Sequence, residues 1–354
     1  PVAGSAIVRA EIELNKPMLT ALQIGNFKAF ADMQRVPIRP LTLIFGPNSA
    51  GKSSVLQGLT FARRAMEHGD LDQSSAVGLD LGGFKQYVHG QDSSQRVSLG
   101  FDLLVEQMHE AGAKRFAGVR SVNVGVKVGL LQGVVGITEI SISTDGEMLL
   151  TTEAVHPSNL ATVVSADRVG KTPAAREDGP MKNRSSGPMT FCVDGVNFAN
   201  SSLQSWFKVQ FRDHAGIQLA GSDWKYLSGL TEELFDHPCY ADRLLPEGLN
   251  KQIETLAKQK VKITTRGQRN RFLKEFGTAV ATDYLDGLFK DLTRALWDQL
   301  DRVSHLGPLR WYPPRRIFDS SDAGSQEDGA AVWQTVIQNH EVRKRMNQTL
   351  AGRL

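Results

Sequence analysis

The sequence predicts an α/β fold with an adjoining antiparallel sheet and a helical insertion, and three patterns in its 354 residues carry that prediction. A short apolar run, a glycine-rich loop and an amphipathic helix follow one another between residues 41 and 66. Apolar residues alternate with polar ones between residues 95 and 155, which is typical of half-buried antiparallel strands. From residue 198 to 303 the apolar period is helical.

Three short strands are expected before the glycine-rich loop, at residues 19–24, 35–38 and 41–45. The third, LTLIF, is uniformly apolar and is bounded by Pro40 and Gly46, which is typical of a buried strand. After the loop, apolar residues recur on one face of an expected helix: Val55, Leu56, Leu59, Ala62 and Met66.

The alternating region predicts a meander of antiparallel strands. Apolar residues occupy every second position at 97–103 and 122–130, and the pattern continues through Ile140 and Ile142. The dipeptide Asp145-Gly146 is a good hairpin turn between two such strands.

Loops and helices are expected to fill the rest of the chain. Residues 168–189 and 319–329 lack periodicity and have the composition of loops. Helical spacing predicts amphipathic helices at 249–256, 285–306 and 331–350.

Composition and charge exclude several classes of protein. The chain is 41% hydrophobic and 22% charged, and its formal net charge of +3 is too small to indicate a nucleic-acid partner by itself. Two cysteines, Cys192 and Cys239, provide neither a disulfide framework nor a cysteine-rich zinc site. There is no secretory leader pattern, and no stretch approaches the roughly 18 apolar residues of a membrane span. We therefore expect a cytoplasmic protein that does not contact a membrane.

One motif is far more specific than the others. Residues 46–53 read GPNSAGKS and satisfy the phosphate-binding pattern G-x-x-x-x-G-K-[S/T] in full, although a glycine turn without a ligand is the competing interpretation. Glycines let backbone N–H groups approach phosphate oxygens, and the following helix N-terminus adds positive potential. Lys52 would reach the β- and γ-phosphates, and Ser53 would give a hydroxyl ligand to Mg²⁺. The expected nucleotide-binding residues of this loop are Gly46, Pro47, Asn48, Ser49, Ala50, Gly51, Lys52, Ser53 and Ser54.

The carboxylates that hydrolysis requires are not evident in the sequence. P-loop enzymes need an Asp at the end of an apolar strand to support Mg²⁺, and a carboxylate or Gln that orients the attacking water. No run of four apolar residues is followed by Asp-Glu or Asp-Asp. The nearest candidates, Asp102 and Glu139, fall in alternating strands and are expected to be solvent-facing strand positions. The sequence therefore assigns no catalytic residue.

Several segments resemble a known group of ATPases. Residues 25–30 (GNFKAF) and 46–54 (GPNSAGKSS) resemble the ABC-type ATPases of the SMC, RecF and OLD group. Residues 80–90 (DLGGFKQYVHG) resemble the segment after the first helix in prokaryotic OLD-like ATPases of the AAA family. Residues 305–310 (HLGPLR) resemble the strand by which such chains return from a helical insertion to the ATPase sheet. In these segments the chain is similar to the N-terminal part of such an ATPase.

The resemblance implies a P-loop NTPase of ABC or RecF type that binds ATP and Mg²⁺ and hydrolyses ATP. Two chains or two lobes would enclose two ATP molecules, each P-loop being completed by the opposite partner. Lys28 would lie near the phosphates, while Gln86, together with Ser53, would contact the metal. His89 in the same segment is expected to be an ordinary polar loop side chain. The family's signature serine, Walker B Asp-Glu pair and switch histidine follow the HLGPLR segment, and the sequence to Leu354 does not contain them.

The resemblance also predicts the domain division and the partners. An ATPase lobe at 1–155 would be followed by a mobile loop and mostly helical insertion at 156–304, and by a return to the ATPase lobe at 305–354. Expected partners are further copies of the chain, as a homodimer or higher oligomer, and a nuclease or effector subunit in prokaryotic DNA maintenance or anti-phage defence. Two alternatives stay open: an ATP-dependent scaffold that does not hydrolyse, and a P-loop phosphotransferase acting on a small molecule.

Residues 251–274 form the candidate nucleic-acid contact. Such a basic cluster would neutralise several phosphates and bind DNA or RNA in a salt-dependent way. A solubilising helix face or an interface to an acidic partner explains the same pattern equally well. Phe272 and Phe276 are expected in the core, so base stacking is not predicted. The basic residues are Lys251, Lys258, Lys260, Lys262, Arg266, Arg269, Arg271 and Lys274.

Overall fold

The structure is a computed structural model dominated by one antiparallel sheet. Within the described part of the chain the strands lie in the order β2-β1-β3-β4-β5-β6-β7-β8, and every neighbouring pair is antiparallel. The described residues are 18–48, 50–69, 71–72, 81–131, 133–155, 189–230, 234, 239–241, 245, 265–303, 339–341 and 344. The strands are β1 (Leu19–Gly25), β2 (Gln34–Pro37), β3 (Val97–Leu104), β4 (Ser121–Leu131), β5 (Val134–Thr144), β6 (Glu147–Val155), β7 (Met189–Val196) and β8 (Cys239–Ala241).

Helices accompany this sheet, so the mixed α/β class is confirmed. The longest has 35 residues, about 50 Å, and begins with a capping box in which Thr265 and Gln268 bond to each other's backbone N–H. In the described residues the α-helices are α1 (Lys52–His68), α2 (Phe84–Tyr87), α3 (Glu110–Arg115), α4 (Ser201–Ala215), α5 (Trp224–Leu227) and α6 (Arg266–Leu300).

The period of two correctly predicted the central strands. In β4 the valines at alternate positions are fully buried and pair with β3 on one side and β5 on the other. The Asp145-Gly146 hairpin is also confirmed, because both residues have positive φ values, 48° and 85°, as a two-residue turn of this kind requires. The buried valines are Val122, Val124, Val126 and Val128.

Our prediction of a buried strand at residues 41–45 is wrong. This segment forms no strand, and its side chains are exposed, with Leu43 at 65% and Phe45 at 84% relative accessibility. Apolar character predicts burial only if another surface is available to cover the segment. β1 already pairs with β2 and β3, and no strand in the described residues lies beside 41–45.

The long helix joins the later part of the chain to the earlier part. It packs against α1, α3, α4 and α5, and beyond its C-terminus the carbonyl of Val303 accepts a hydrogen bond from Arg63 Nη1 on α1 at 2.9 Å. The predicted helix at 285–306 is therefore confirmed as far as Leu300. Among the described residues no helix is long and apolar enough to cross a membrane.

Several other predictions lie wholly or mainly outside the described residues. These concern the loop at 168–189, whose last residue begins β7, the loop at 319–329, and the helices at 249–256 and 331–350, of which only 339–341 and 344 are described. The sheet itself continues past residue 155, because β6 pairs with β7 and β7 with β8. The division of the chain into three parts stays a prediction.

Candidate functional site

The glycine-rich loop leads directly into α1, and Gly51 is the residue at the junction. Its φ of 87° lies in the left-handed region, where a side chain is unfavourable. A Cβ at this position would also lie 2.8 Å from Phe30 Cε1 and 3.2 Å from Ala29 Cβ. Because Gly51 offers no capping side chain, the N–H groups of the first helical turn remain for a ligand. Only glycine fits here, for two independent reasons.

Lys52 lies at the mouth of the same loop. Its Nζ donates hydrogen bonds to the carbonyl oxygens of Gly46 at 2.8 Å and Pro47 at 2.6 Å, so the loop curls around the ammonium group. The next residue, Ser53, is exposed, whereas Ser54 is buried. Positive charge and a hydroxyl therefore stand side by side at the start of α1.

A tight turn between Phe27 and Phe30 packs against this junction. The backbones of these two residues exchange hydrogen bonds of 2.9 Å in both directions, which puts Lys28 and Ala29 at the tip of the turn. Lys28 has a φ of 50°, which costs a non-glycine residue about 1 kcal/mol. We call residues 27–30 the Phe27–Phe30 turn. The side chains of Ala29 and Phe30 are the part of this turn that lies against Gly51.

A segment that follows α2 holds the other side of the turn. The Lys28 N–H donates to the carbonyl of Tyr87 at 2.7 Å, and the His89 N–H donates to the carbonyl of Asn26 at 3.1 Å. In addition, His89 Nδ1 lies 2.8 Å from the carbonyl oxygen of Lys28. The turn is thus held between His89 and Gly51.

Three buried rings fix these elements relative to one another. The centroids of Phe61 and Tyr87 are 5.1 Å apart, and Phe27 lies 6.0 Å from Phe61 and 5.8 Å from Tyr87. Each ring comes from a different element: the turn, α1 and α2. Such tilted contacts stabilise beyond the area that they bury, by about 1 kcal/mol per pair. The three rings therefore connect the turn, the middle of α1 and α2.

Residues 21–101 match the model of an AAA domain. The match supports nucleotide binding and ATPase activity in general for this part of the chain, and its residues include the turn, the loop, α1 and His89. Among curated proteins, no match to the chain was found.

The AAA-domain region fits a bound nucleoside triphosphate with Mg²⁺. Uncapped N–H groups at the start of α1 suit phosphate oxygens, and Ser53 offers a hydroxyl to a cation that keeps most of its waters. Within the described ranges, no group of three or more His, Cys, Asp or Glu side chains is placed to hold a metal ion. A magnesium ion held mainly by phosphates and water does not need one.

For two of the predicted site residues, the structure gives no contact with the loop that would test their roles. Gln86 lies on α2 with an exposed side chain packed beside Gly82, so its contact with the metal stays a prediction. Ser49 lies outside the described residues.

The two acidic strand positions have partners within the sheet. Asp102 accepts hydrogen bonds from Gln23 Nε2 at 2.9 Å and Asn123 Nδ2 at 2.6 Å, and it pairs with Arg35. Glu139 pairs with Lys127 at 2.8 Å. Neither carboxylate is a candidate for water activation at the loop.

Only the end of the basic segment falls within the described residues, and part of its charge is neutralised there. Arg269 bonds to Asp223 at 2.7 Å, and this hydrogen bond holds the pKa of the Asp223 carboxyl below its usual value against the effect of burial. Arg271 pairs with Glu275 at 2.8 Å. Phe272 and Phe276 pack against Phe211 in the core, as expected. Residues 251–264 lie outside the described part.

Proposed function

We propose that this chain binds ATP and Mg²⁺ at residues 46–54 and hydrolyses ATP. One observation carries the proposal: Lys52 folds back onto the carbonyls of Gly46 and Pro47 at the uncapped start of α1, where Gly51 has no room for a side chain. The AAA-domain match over residues 21–101 supports the same activity class.

Each residue has a stated role in this proposal. The N–H groups at the start of α1 bind phosphate oxygens, and Lys52 contacts the β- and γ-phosphates. Ser53 holds Mg²⁺, with Gln86 as the second contact that the resemblance implies. When bound, Mg²⁺ neutralises charge that develops on the phosphate oxygens during transfer. Lys28 would lie near the phosphates, as the resemblance implies, and the packing of its turn against Gly51 supports this.

The wider role rests on the resemblance. Two copies of the chain come together on ATP and clamp or release nucleic acid, or regulate an associated nuclease, in prokaryotic DNA maintenance or anti-phage defence. DNA or RNA would contact residues 251–274, in which Arg269 and Arg271 already have acidic partners. The other basic residues of the segment would therefore contribute most of the contact.

The experiment is phosphate release from Mg²⁺-ATP over a range of protein concentrations, together with ATP affinity by calorimetry. Lys52→Ala is expected to weaken ATP binding by about a hundredfold without unfolding the chain, because charge-assisted contacts to phosphate contribute about 1.5–3 kcal/mol. Lys225→Ala is the matched control, since Lys225 is an exposed lysine on α5. Unchanged affinity in Lys52→Ala would reject the P-loop assignment. Turnover that rises faster than linearly with concentration would support dimeric sites.

A non-hydrolysing scaffold is the second candidate. It is favoured by the sheet partners of Asp102 and Glu139, which leave neither carboxylate for water activation. ATP binding that depends on Lys52, without phosphate release at any protein concentration, would favour the scaffold. Phosphate transfer only in the presence of a small-molecule acceptor would instead identify a phosphotransferase.

A further inference from the structure

The hydrogen bond between His89 and Lys28 defines the state of the His89 ring. The Lys28 carbonyl oxygen can only accept, so the Nδ1 atom 2.8 Å away from it carries the proton. In the neutral imidazole, Nε2 is then the unprotonated nitrogen. The structure therefore assigns one tautomer to a histidine that the sequence marked as an ordinary loop residue.

Lys28 is a strained residue that is held by two hydrogen bonds, one from the His89 ring and one to the backbone of Tyr87. Lys28 has a left-handed φ of 50°; its N–H donates to Tyr87 and its carbonyl accepts from His89. Non-glycine residues keep such conformations only where the surrounding contacts enforce them, and such places are often functional sites. If the His89 donor were absent, the peptide that follows Lys28 would lose the hydrogen bond that its carbonyl accepts from the imidazole.

The orientation of that peptide decides where the tip of the turn lies. The peptide joins Lys28 to Ala29, and Ala29 and Phe30 are the residues closest to Gly51. A rotation there would move both side chains relative to the junction of the loop and α1. The His89 contact therefore reaches the phosphate-binding loop through the turn, over a path of packed neighbours.

We propose that His89 is a positioning residue of the nucleotide site, whose Nδ1–H holds the Phe27–Phe30 turn against Gly51 and so keeps the loop ready to bind phosphate. This inference rests on the proposed function, since it assigns a residue to the same site. His89 touches the Lys28 carbonyl and acts through it.

A matched pair of variants distinguishes the effect of the N–H donor on ATP binding from the effect of side-chain shape. Asn and Asp have the same shape, and their side chains place an atom close to where His89 has Nδ1, but only Asn offers an N–H there. His89→Asn is expected to bind Mg²⁺-ATP within about twofold of the wild type. His89→Asp, which puts an acceptor against a carbonyl, is expected to bind about tenfold more weakly. Thermal melts of both variants show whether each is folded.

The tautomer provides a measurement on the unmodified chain. With ¹⁵N-labelled histidine, long-range proton–nitrogen spectra above neutral pH distinguish a ring protonated at Nδ1 from one protonated at Nε2. His89→Asn identifies the His89 signals by their loss. A ring protonated at Nδ1 is expected, and a neutral ring protonated at Nε2 would overturn the proposal, because no donor would then face Lys28.

The outcomes separate the two proposals. If the wild type binds ATP no better than Lys52→Ala, the proposed function fails, and the role of His89 falls with it. If ATP binding depends on Lys52 but His89→Asn and His89→Asp bind alike, only the positioning role is overturned. Strong binding by His89→Asn with weak binding by His89→Asp, together with the Nδ1-protonated ring, supports both.

Discussion

The guanidinium group of Arg115 crosses α6 directly over Gly287, at a point where any side chain would overlap it. From there Arg115 Nε donates to Asp291 at 2.8 Å and Nη1 donates to the carbonyl of Tyr284 at 3.3 Å. The guanidinium carbon also lies 4.7 Å from the centroid of the Trp206 ring. The absence of a side chain at Gly287 thus lets the partly buried Arg115 connect α3, α4 and α6.

Gly287→Ala should lower the free energy of unfolding by about 3 kcal/mol, because the displaced guanidinium would take its ion pair away from the buried carboxylate of Asp291. Urea unfolding measures the change. Gly267→Ala is the control on the same helix: nothing lies within 4 Å of a Cβ there, so the helix should keep its stability or gain up to about 1 kcal/mol. Equal effects of the two variants would show that the Arg115 contact contributes nothing.

Gly51→Ala should weaken ATP binding by about tenfold or more, since the methyl group meets Phe30 and the backbone is left-handed. Gly118→Ala carries similar backbone strain, with a φ of 84° and no atom within 4 Å of the added Cβ, in the turn between α3 and β4. It should cost about 1 kcal/mol of stability and leave ATP affinity unchanged. Calorimetric titration with Mg²⁺-ATP compares them, and equal affinities would contradict a special role for the Gly51 contact.

Acid should remove the contribution of the Asp223–Arg269 ion pair to the free energy of unfolding. The hydrogen bond from Arg269 lowers the pKa of Asp223 in the folded chain, so the stabilisation is present above the unfolded value of about 4 and is lost as the pH falls through the folded value. Arg269→Ala should therefore lose less stability than the wild type between pH 5 and about pH 2. Arg271→Ala is the control, because its partner Glu275 is exposed. Parallel pH profiles for Arg269→Ala and the wild type would refute this assignment.

Alkali should destabilise the chain through Tyr284. Burial raises the pKa of the Tyr284 hydroxyl to about 12, against the effects of the Ser202 hydrogen bond and of Arg115. The folded state favours the protonated hydroxyl. The contribution of Tyr284 to the free energy of unfolding is therefore complete below about pH 10 and is lost towards pH 12, a change of about 2 kcal/mol. Tyr284→Phe does not titrate and should show a smaller loss between pH 9 and 11.5 in urea unfolding. A loss as large as that of the wild type would place the titrating group elsewhere.

Local patterns allowed much of the fold to be predicted. The alternation in β3 and β4 and the Asp145-Gly146 turn depend on neighbours within a few residues, and all three are present in the structure. The phosphate-binding motif is also a local pattern, because its glycines and lysine lie within one loop. Periodicity and turn chemistry are read from the sequence without knowing the tertiary structure.

Contacts across long separations could not be predicted in the same way. His89 and Lys28 are 61 positions apart, and nothing in the sequence DLGGFKQYVHG shows which carbonyl the imidazole faces. Arg115 and Asp291, which are 176 positions apart, pair only once α6 is packed against α3. The prediction for residues 41–45 failed for a related reason, since burial depends on a covering surface that composition does not reveal.

The exposed segment at 41–45 has a consequence for the chain in solution. It is a run of five uncharged residues, four of them apolar. The side chains of Leu43 and Phe45 are exposed to solvent. Such runs promote aggregation, because a strand of another copy can pair with them. Pro40 and Gly46 confine this tendency to a short stretch. Because Phe45 immediately precedes the phosphate-binding loop, nonspecific association and ATP binding would occur at adjacent residues. Self-association through this segment would not require nucleotide, whereas association at the proposed site would depend on ATP.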